Sequence, residues 1–251
     1  MSNSPLIELL TSLGDDELIL GHRNSEWTGY APILEEDIAF SNIAQDEVGH
    51  SLVWYTLLEP FIRKTPDAMG FERLWRDFRS CRFVSYPKGD FAYTLVRQYL
   101  FDESERVRLG AFAASSEEVL RQASGKILPE EGYHLLHTSG LVERLGDATE
   151  ESHARMQSAV DEAFPQALGI FEPLEHESEL VSEKVYPGVH VLREEWLERV
   201  KTHLRKSSLT VPAAVKGAPD FGGRMGDHAP HLEQLVKDLQ SVYGSESGAS
   251  W

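Results

Sequence analysis

The feature that most constrains this chain is the period of its apolar residues. Leu6, Ile7, Leu9, Leu10 and Leu13, then Leu18 and Trp27, recur at steps of three and four. That spacing lines one face of an α-helix. No long alternating run bounded by turn residues suggests a strand, so the expected fold class is all-α. A first helix is expected from about Leu6 to Trp27, broken by Gly29-Tyr30-Ala31-Pro32. A second, with Pro32 in its first turn, runs to about Ile62 and spans about 45 Å at the helical rise. A long connection, about Lys64 to Gly89, holds one short helix at Phe71 to Phe78. Asp90 suits the N-cap of a third long helix, Phe91 to about Phe112. A fourth covers about Ser116 to Leu145, is bent by Pro129 and stops at Gly146 as its C′ residue.

Two long helices, a long crossover and two more long helices give the connectivity of a ferritin-like four-helix bundle. Further helices are expected at about Thr149 to Phe164, Glu172 to Lys184, Val189 to Arg205 and His231 to Tyr243. A loop covers Ser207 to Asp227, and Gly244 to Trp251 reads as a frayed tail. The expected organisation is one domain over residues 1–251, with a core bundle at about 5–146 and appended helices at about 147–243.

Charge excludes some functions. Lys+Arg total 24 and Asp+Glu 41, a formal charge of −17. Such a chain is repelled by nucleic-acid phosphates and by anionic membrane surfaces. No stretch reaches the apolar length of a membrane span, and the first ten residues lack a signal peptide's basic and apolar regions. The single cysteine, Cys81, rules out an intrachain disulfide and a zinc site built on several thiolates, so a cytoplasmic setting is expected. The local basic run Arg73, Arg76, Arg79, Arg82 and Lys88 reads as a solvated face or docking surface, or as a contact for phosphates.

Two motifs could carry chemistry. Glu47-Val48-Gly49-His50 and Glu131-Gly132-Tyr133-His134 are both Glu-x-x-His, one on the second long helix and one on the fourth. Residues three apart share a helix face, so each motif can aim a carboxylate and an imidazole at one point. A carboxylate-bridged di-iron site needs one more Glu from each of the other two helices. Glu17 lies 30 residues before Glu47, and Glu103 lies 28 before Glu131. The candidate metal ligands are therefore Glu17, Glu47, His50, Glu103, Glu131 and His134, with Asp102 and Glu105 close competitors of Glu103. An oxygen-rich set with one imidazole per metal suits iron or manganese. Asp46 and Glu130, each just before a motif Glu, are candidates to accept the second N–H of a metal-bound imidazole. A third Glu-x-x-His, Glu150 to His153, reads better as part of a helix start, with Asp147 and Glu150 at capping-box spacing. His228 and His231 are poorer metal candidates beside a helix start.

Gln45-Asp46-Glu47-Val48-Gly49-His50 and Glu130-Glu131-Gly132-Tyr133-His134 resemble the bacterial multicomponent monooxygenase type of ferritin-like fold. Ser25-Glu26-Trp27, Gly89-Asp90-Phe91-Ala92, Arg97-Gln98-Tyr99-Leu100-Phe101-Asp102, Arg144-Leu145-Gly146-Asp147 and Gly223-Arg224-Met225-Gly226-Asp227-His228 narrow the likeness. Over about Leu13 to Tyr243 the chain is similar to the PaaC-type subunits of phenylacetyl-CoA epoxidase. The resemblance implies a role in aerobic phenylacetate breakdown, as the structural companion of a PaaA-type subunit that holds the di-iron centre and the substrate. In the absence of that partner it implies a homodimer. Structural subunits of this type typically lack several metal ligands, whereas all six candidates here are ligand-competent. Two other readings therefore stand beside it. One is a di-iron oxygenase in its own right, with Leu20, Val96, Leu100 and Tyr133 lining an apolar cavity. The other is a ferritin-like iron-handling protein.

Overall fold

The computed structural model describes residues 5–212 and 219–245. Among these, every regular element is helical. The α-helices are α1 (Pro5–Ser25), α2 (Leu34–Ile62), α3 (Pro66–Phe71), α4 (Arg82–Ser85) and α5 (Phe91–Phe112). They continue with α6 (Glu118–Ala148), α7 (Glu150–Ala167), α8 (Glu177–Ser182), α9 (Val189–Lys206) and α10 (His231–Gln240). The four long helices and the long connection fall in the expected order, and none of the described helices is long and apolar enough to cross a membrane. The chain forms two compact units, Met1–Pro87 with Gly222–Trp251, and Lys88–Phe221.

The first unit is built on the α1–α2 pair. Its register is antiparallel. The Tyr55 hydroxyl donates to Asp15 at 2.6 Å, and Thr28 and Ser41 share a hydrogen bond of 2.8 Å at the other end. Between them, a Cβ on Gly21 would lie 3.0 Å from the Ala44 carbonyl oxygen and 3.0 Å from Glu47 Cβ. The two backbones approach closely at the level of Glu47 because residue 21 has no side chain.

Three consecutive carboxylates of α1, Asp15, Asp16 and Glu17, are fully buried. Asp15 accepts from the guanidinium of Arg73, from Tyr55 and from the Arg79 backbone N–H. Burial and the Asp15 charge push the Tyr55 hydroxyl pKa well up, so Tyr55 stays a donor. Asp16 takes a two-pronged ion pair from Arg224 at 2.8 and 2.6 Å and the Cys81 backbone N–H at 2.7 Å. The expected short helix at Phe71 to Phe78 is displaced for this reason. Thr65 caps α3, with Pro66 in its first turn. Leu74 and Phe78 then run extended around a single 3₁₀ turn, which lays Arg73 and the Arg79 N–H on Asp15.

The C-terminal Gly222–His228 segment returns to the same place. A Cβ on Gly223 would lie 2.2 Å from the Ser80 carbonyl oxygen, so only glycine fits there. Arg224 then reaches Asp16, Asp227 pairs with Arg82 at 2.6 Å, and the His228 Nε2 lies 2.9 Å from the Phe78 carbonyl oxygen. His228 is buried and bonded to backbone, while the His231 ring packs against Tyr86 at 5.6 Å. Most of the basic run is therefore structural. Arg73 and Arg82 are ion-paired, Arg79 donates to the Arg76 and Phe78 carbonyls, and exposed Arg76 covers Trp75.

The second unit is built on α5 and α6, with α7 and α9 packed on them. Asp90 caps α5 by accepting from the Tyr93 N–H at 2.9 Å, as expected. Gly146 does not end α6. The helix continues to Ala148, and Gly146 is buried where a Cβ would lie 2.6 Å from the Ser207 carbonyl oxygen. The capping box at the start of α7 is Thr149 with Ser152, not Asp147 with Glu150. Trp196 on α9 donates to the Leu100 carbonyl at 2.9 Å and stacks on Phe164 of α7. The helix expected over Glu172 to Lys184 shrinks to α8, and α10 stops at Gln240. Part of the expected Ser207 to Asp227 loop and most of the expected tail lie outside the described residues.

Two measurements test how the C-terminal segment is held, one at the Asp16–Arg224 ion pair and one at His228. Arg224→Ala leaves a buried carboxylate without its cation, which costs about 3–5 kcal/mol. The urea midpoint should fall accordingly, and Asp16→Leu/Arg224→Met should recover most of the loss. Burial lowers the His228 pKa below its ordinary value, with the Phe78 carbonyl and Asp15 opposing and Arg79 and Arg82 reinforcing. The folded state therefore binds fewer protons than the unfolded one as pH falls below about 6.5. The unfolding temperature should drop on acidification, and drop less in His228→Gln than in the parent chain.

Candidate metal centre

The α1–α2 register decides which side chains meet. Glu17 sits one turn from Gly21, on the α1 face that meets α2, between the approach of Gly14 to Tyr55 and that of Gly21 to Glu47. Glu17, Glu47 and His50 are 0, 0 and 2 % exposed. Each offers one ligand atom, and these atoms lie within 4.8 Å of one another. The His50 Nδ1 is 3.7 Å from a Glu47 carboxylate oxygen, as residues three apart on one helix face allow. Two carboxylates held this close and shielded from water repel each other, and a shared cation relieves that repulsion.

The second unit presents a matching set. Glu131 and His134 on α6 are buried, with the His134 Nδ1 3.4 Å from a Glu131 oxygen. Asp102 on α5 is fully buried, and its carboxylate lies within 4.8 Å of a His134 ring nitrogen. Both Asp102 oxygens are positioned by hydrogen bonds of 2.6 Å, one from Gln98 and one from Thr138. Glu103, the next residue, is turned through one helical step. It accepts from Arg199 Nε of α9 at 2.8 Å. Its charge and that of Asp102 add to burial in raising the Tyr99 pKa, so Tyr99 stays a phenol.

Five of the six sequence candidates thus fall in the two buried carboxylate–imidazole sets, three in the first unit and two in the second. The sixth, Glu103, serves the α5–α9 junction, and the carboxylate beside His134 is its neighbour Asp102. Glu105, the other competitor, is ion-paired with Arg108. The sequence separates Asp102 from Glu103 only through Arg199, 96 residues downstream, and local spacing does not reveal that partner. Asp46 is half-buried and Glu130 is exposed. Leu20, Val96 and Leu100 are fully buried, but Tyr133 points outward at 73 % exposure and lines no interior cavity. These buried acidic and imidazole groups could hold a metal ion, and their oxygen-rich donor set with single imidazoles fits iron or manganese.

The whole chain, residues 1–251, matches the family described as phenylacetic acid catabolic protein, PaaA_PaaC. It is 30 % identical over 240 residues to the C-type subunit of the 1,2-phenylacetyl-CoA epoxidase of Escherichia coli strain K12, covering 95 % of this chain and 96 % of that protein. The buried Glu-x-x-His pairs, the all-helical fold and this full-length match agree, and the chain belongs to the PaaA_PaaC family as a PaaC-type member.

Proposed function

We propose that this chain is the C-type subunit of a phenylacetyl-CoA epoxidase in aerobic phenylacetate catabolism, where it supports a PaaA-type catalytic subunit. The observation that carries this reading is likeness along the whole length to a protein whose name makes it the C-type component of that enzyme. The strong net negative charge fits a supporting role, because a −17 chain whose local arginines are largely spent on internal bonds is a poor host for a CoA phosphate. A cytoplasmic location and the absence of a membrane or nucleic-acid partner follow from the same reading.

We further propose that the chain binds iron of its own, about two ions per chain. The donors are Glu17, Glu47 and His50 within the first unit, and Glu131, His134 and Asp102 within the second. Iron held by such carboxylates and imidazoles supplies redox chemistry toward dioxygen. The chain's part is to hold the donors. Gly21 lets α1 come near enough to α2 for Glu17 to join Glu47, and Gln98 and Thr138 orient Asp102. Arg199 keeps Glu103 out of the set. The presence of these buried donors also favours a second reading, an oxygenase component active by itself.

Elemental analysis of protein expressed with iron and purified without chelator should give about two irons per chain. Glu47→Ala and Asp102→Asn should each lose most of it, and Glu103→Gln should keep it. Iron content indifferent to all three substitutions would overturn the iron binding and leave the supporting role. Epoxidation of phenylacetyl-CoA should need the PaaA-type subunit and a reductase. Turnover by this chain and a reductase alone would move the assignment to the second reading.

A further inference from the structure

α2 has a second apolar face, opposite the one that carries Glu47 and His50. Leu34, Ile38, Val48 and Leu52 are 71, 53, 42 and 53 % exposed. With Ser41 and Gln45 they are spaced by fours and threes, so they share one face, with Val48 at its edge toward α1, where its Cγ2 lies 3.1 Å from the Cβ position of Gly21. This stripe runs about 27 Å from Leu34 to Leu52 at the helical rise. Gly49 lies beside it with nothing within 4 Å of where a Cβ would stand, which leaves room for another backbone. A row of large aliphatic side chains facing water marks an interaction surface.

The charges that α2 itself brings to this stripe are of one sign. The helix contains Glu35, Glu36, Asp37, Asp46, Glu47 and Glu59, and neither Lys nor Arg. Glu36 and Glu47 are buried. Glu35 and Glu59 are exposed and Asp37 and Asp46 half-buried. By helical azimuth Glu35 and Asp46 lie to one side of the stripe and Asp37, which accepts from the Gly29 N–H, to the other, while Glu59 stands two turns beyond its Leu52 end. A second copy of the chain would meet it across a twofold axis, stripe to stripe. That would set acidic rim against acidic rim between two chains of formal charge −17, a juxtaposition that costs affinity.

We propose that the Leu34–Ile38–Val48–Leu52 stripe is the docking seat for a helical partner protein whose apolar ridge is rimmed by Lys and Arg. The assignment rests on the reading of this chain as one component of an epoxidase, and it adds the face used and the chemistry of the surface that meets it. Hydrophobic burial along the stripe supplies the affinity, and the acidic rim supplies register and disfavours this face for the homodimer expected in the partner's absence.

The probe is the PaaA-type subunit, produced with the full chain and titrated against it by calorimetry at 50 and 300 mM salt. Affinity for the parent chain should fall as salt rises. Ile38→Glu/Leu52→Glu should weaken binding at least tenfold with helicity and unfolding temperature unchanged, because both side chains are already in water. Glu35→Lys/Glu59→Lys should also weaken binding and flatten its salt dependence. If the parent chain binds and the Ile38/Leu52 variant binds equally well, the docking seat is overturned while the epoxidase reading stands. If the parent chain does not bind the PaaA-type subunit at all, the epoxidase reading fails and this assignment fails with it. If the parent chain alone is a dimer that the Ile38/Leu52 variant dissolves, the seat belongs to a second copy and the proposal is wrong.

Discussion

Three adjacent carboxylates on one turn of α1 set the terms for the first unit. Asp15, Asp16 and Glu17 are all buried, and successive residues on a helix point about 100° apart. They must therefore be satisfied in three different directions. Burying a carboxylate is expensive unless a cation or several hydrogen bonds meet it. Asp15 draws in Arg73 and Tyr55, and Asp16 draws in Arg224 and the Cys81 N–H. These two residues thereby tie the 72–85 connection and the C-terminal segment to one helix. Glu17 instead shares its space with a second carboxylate, Glu47, and the imidazole of His50. The same turn of helix that organises the unit thus supplies a candidate metal ligand, and the Asp15 and Asp16 ion pairs hold that ligand's backbone in place.

α5 repeats the principle with two residues. Asp102 and Glu103 are adjacent, and helical geometry sends them apart. One is held by Gln98 and Thr138 beside His134, and the other is tied to Arg199 on α9. In both units a structural carboxylate and a candidate ligand are chain neighbours.

Much of the architecture is legible from spacing. The ends of α5, the N-cap at Asp90 and the long α2 follow from apolar period and capping chemistry, which act over a few residues. The two Glu-x-x-His pairs and the Glu17 position are legible for the same reason, because faces of a helix repeat every three or four residues. The short helices of the 64–89 connection are not. There the backbone follows distant ion pairs and hydrogen bonds to Asp15 and Asp16 and not its own propensity. Gly146 has the local setting of a stop signal, whereas its role is to let the Ser207 carbonyl come close.

The sequence by itself determined an all-helical chain, the placement of its four long helices, and the two motifs whose carboxylate and imidazole share a helix face. These depend on interactions within one or two turns. Only the tertiary structure decided that Asp102 and not Glu103 stands beside His134, and that Arg73 and Arg224 neutralise buried aspartates. It also decided that the outer face of α2 is left apolar and acid-rimmed. Each of these turns on a partner far away in the chain, or on which face a neighbouring helix covers. Burial and charge pairing select among side chains that local periodicity treats as equal.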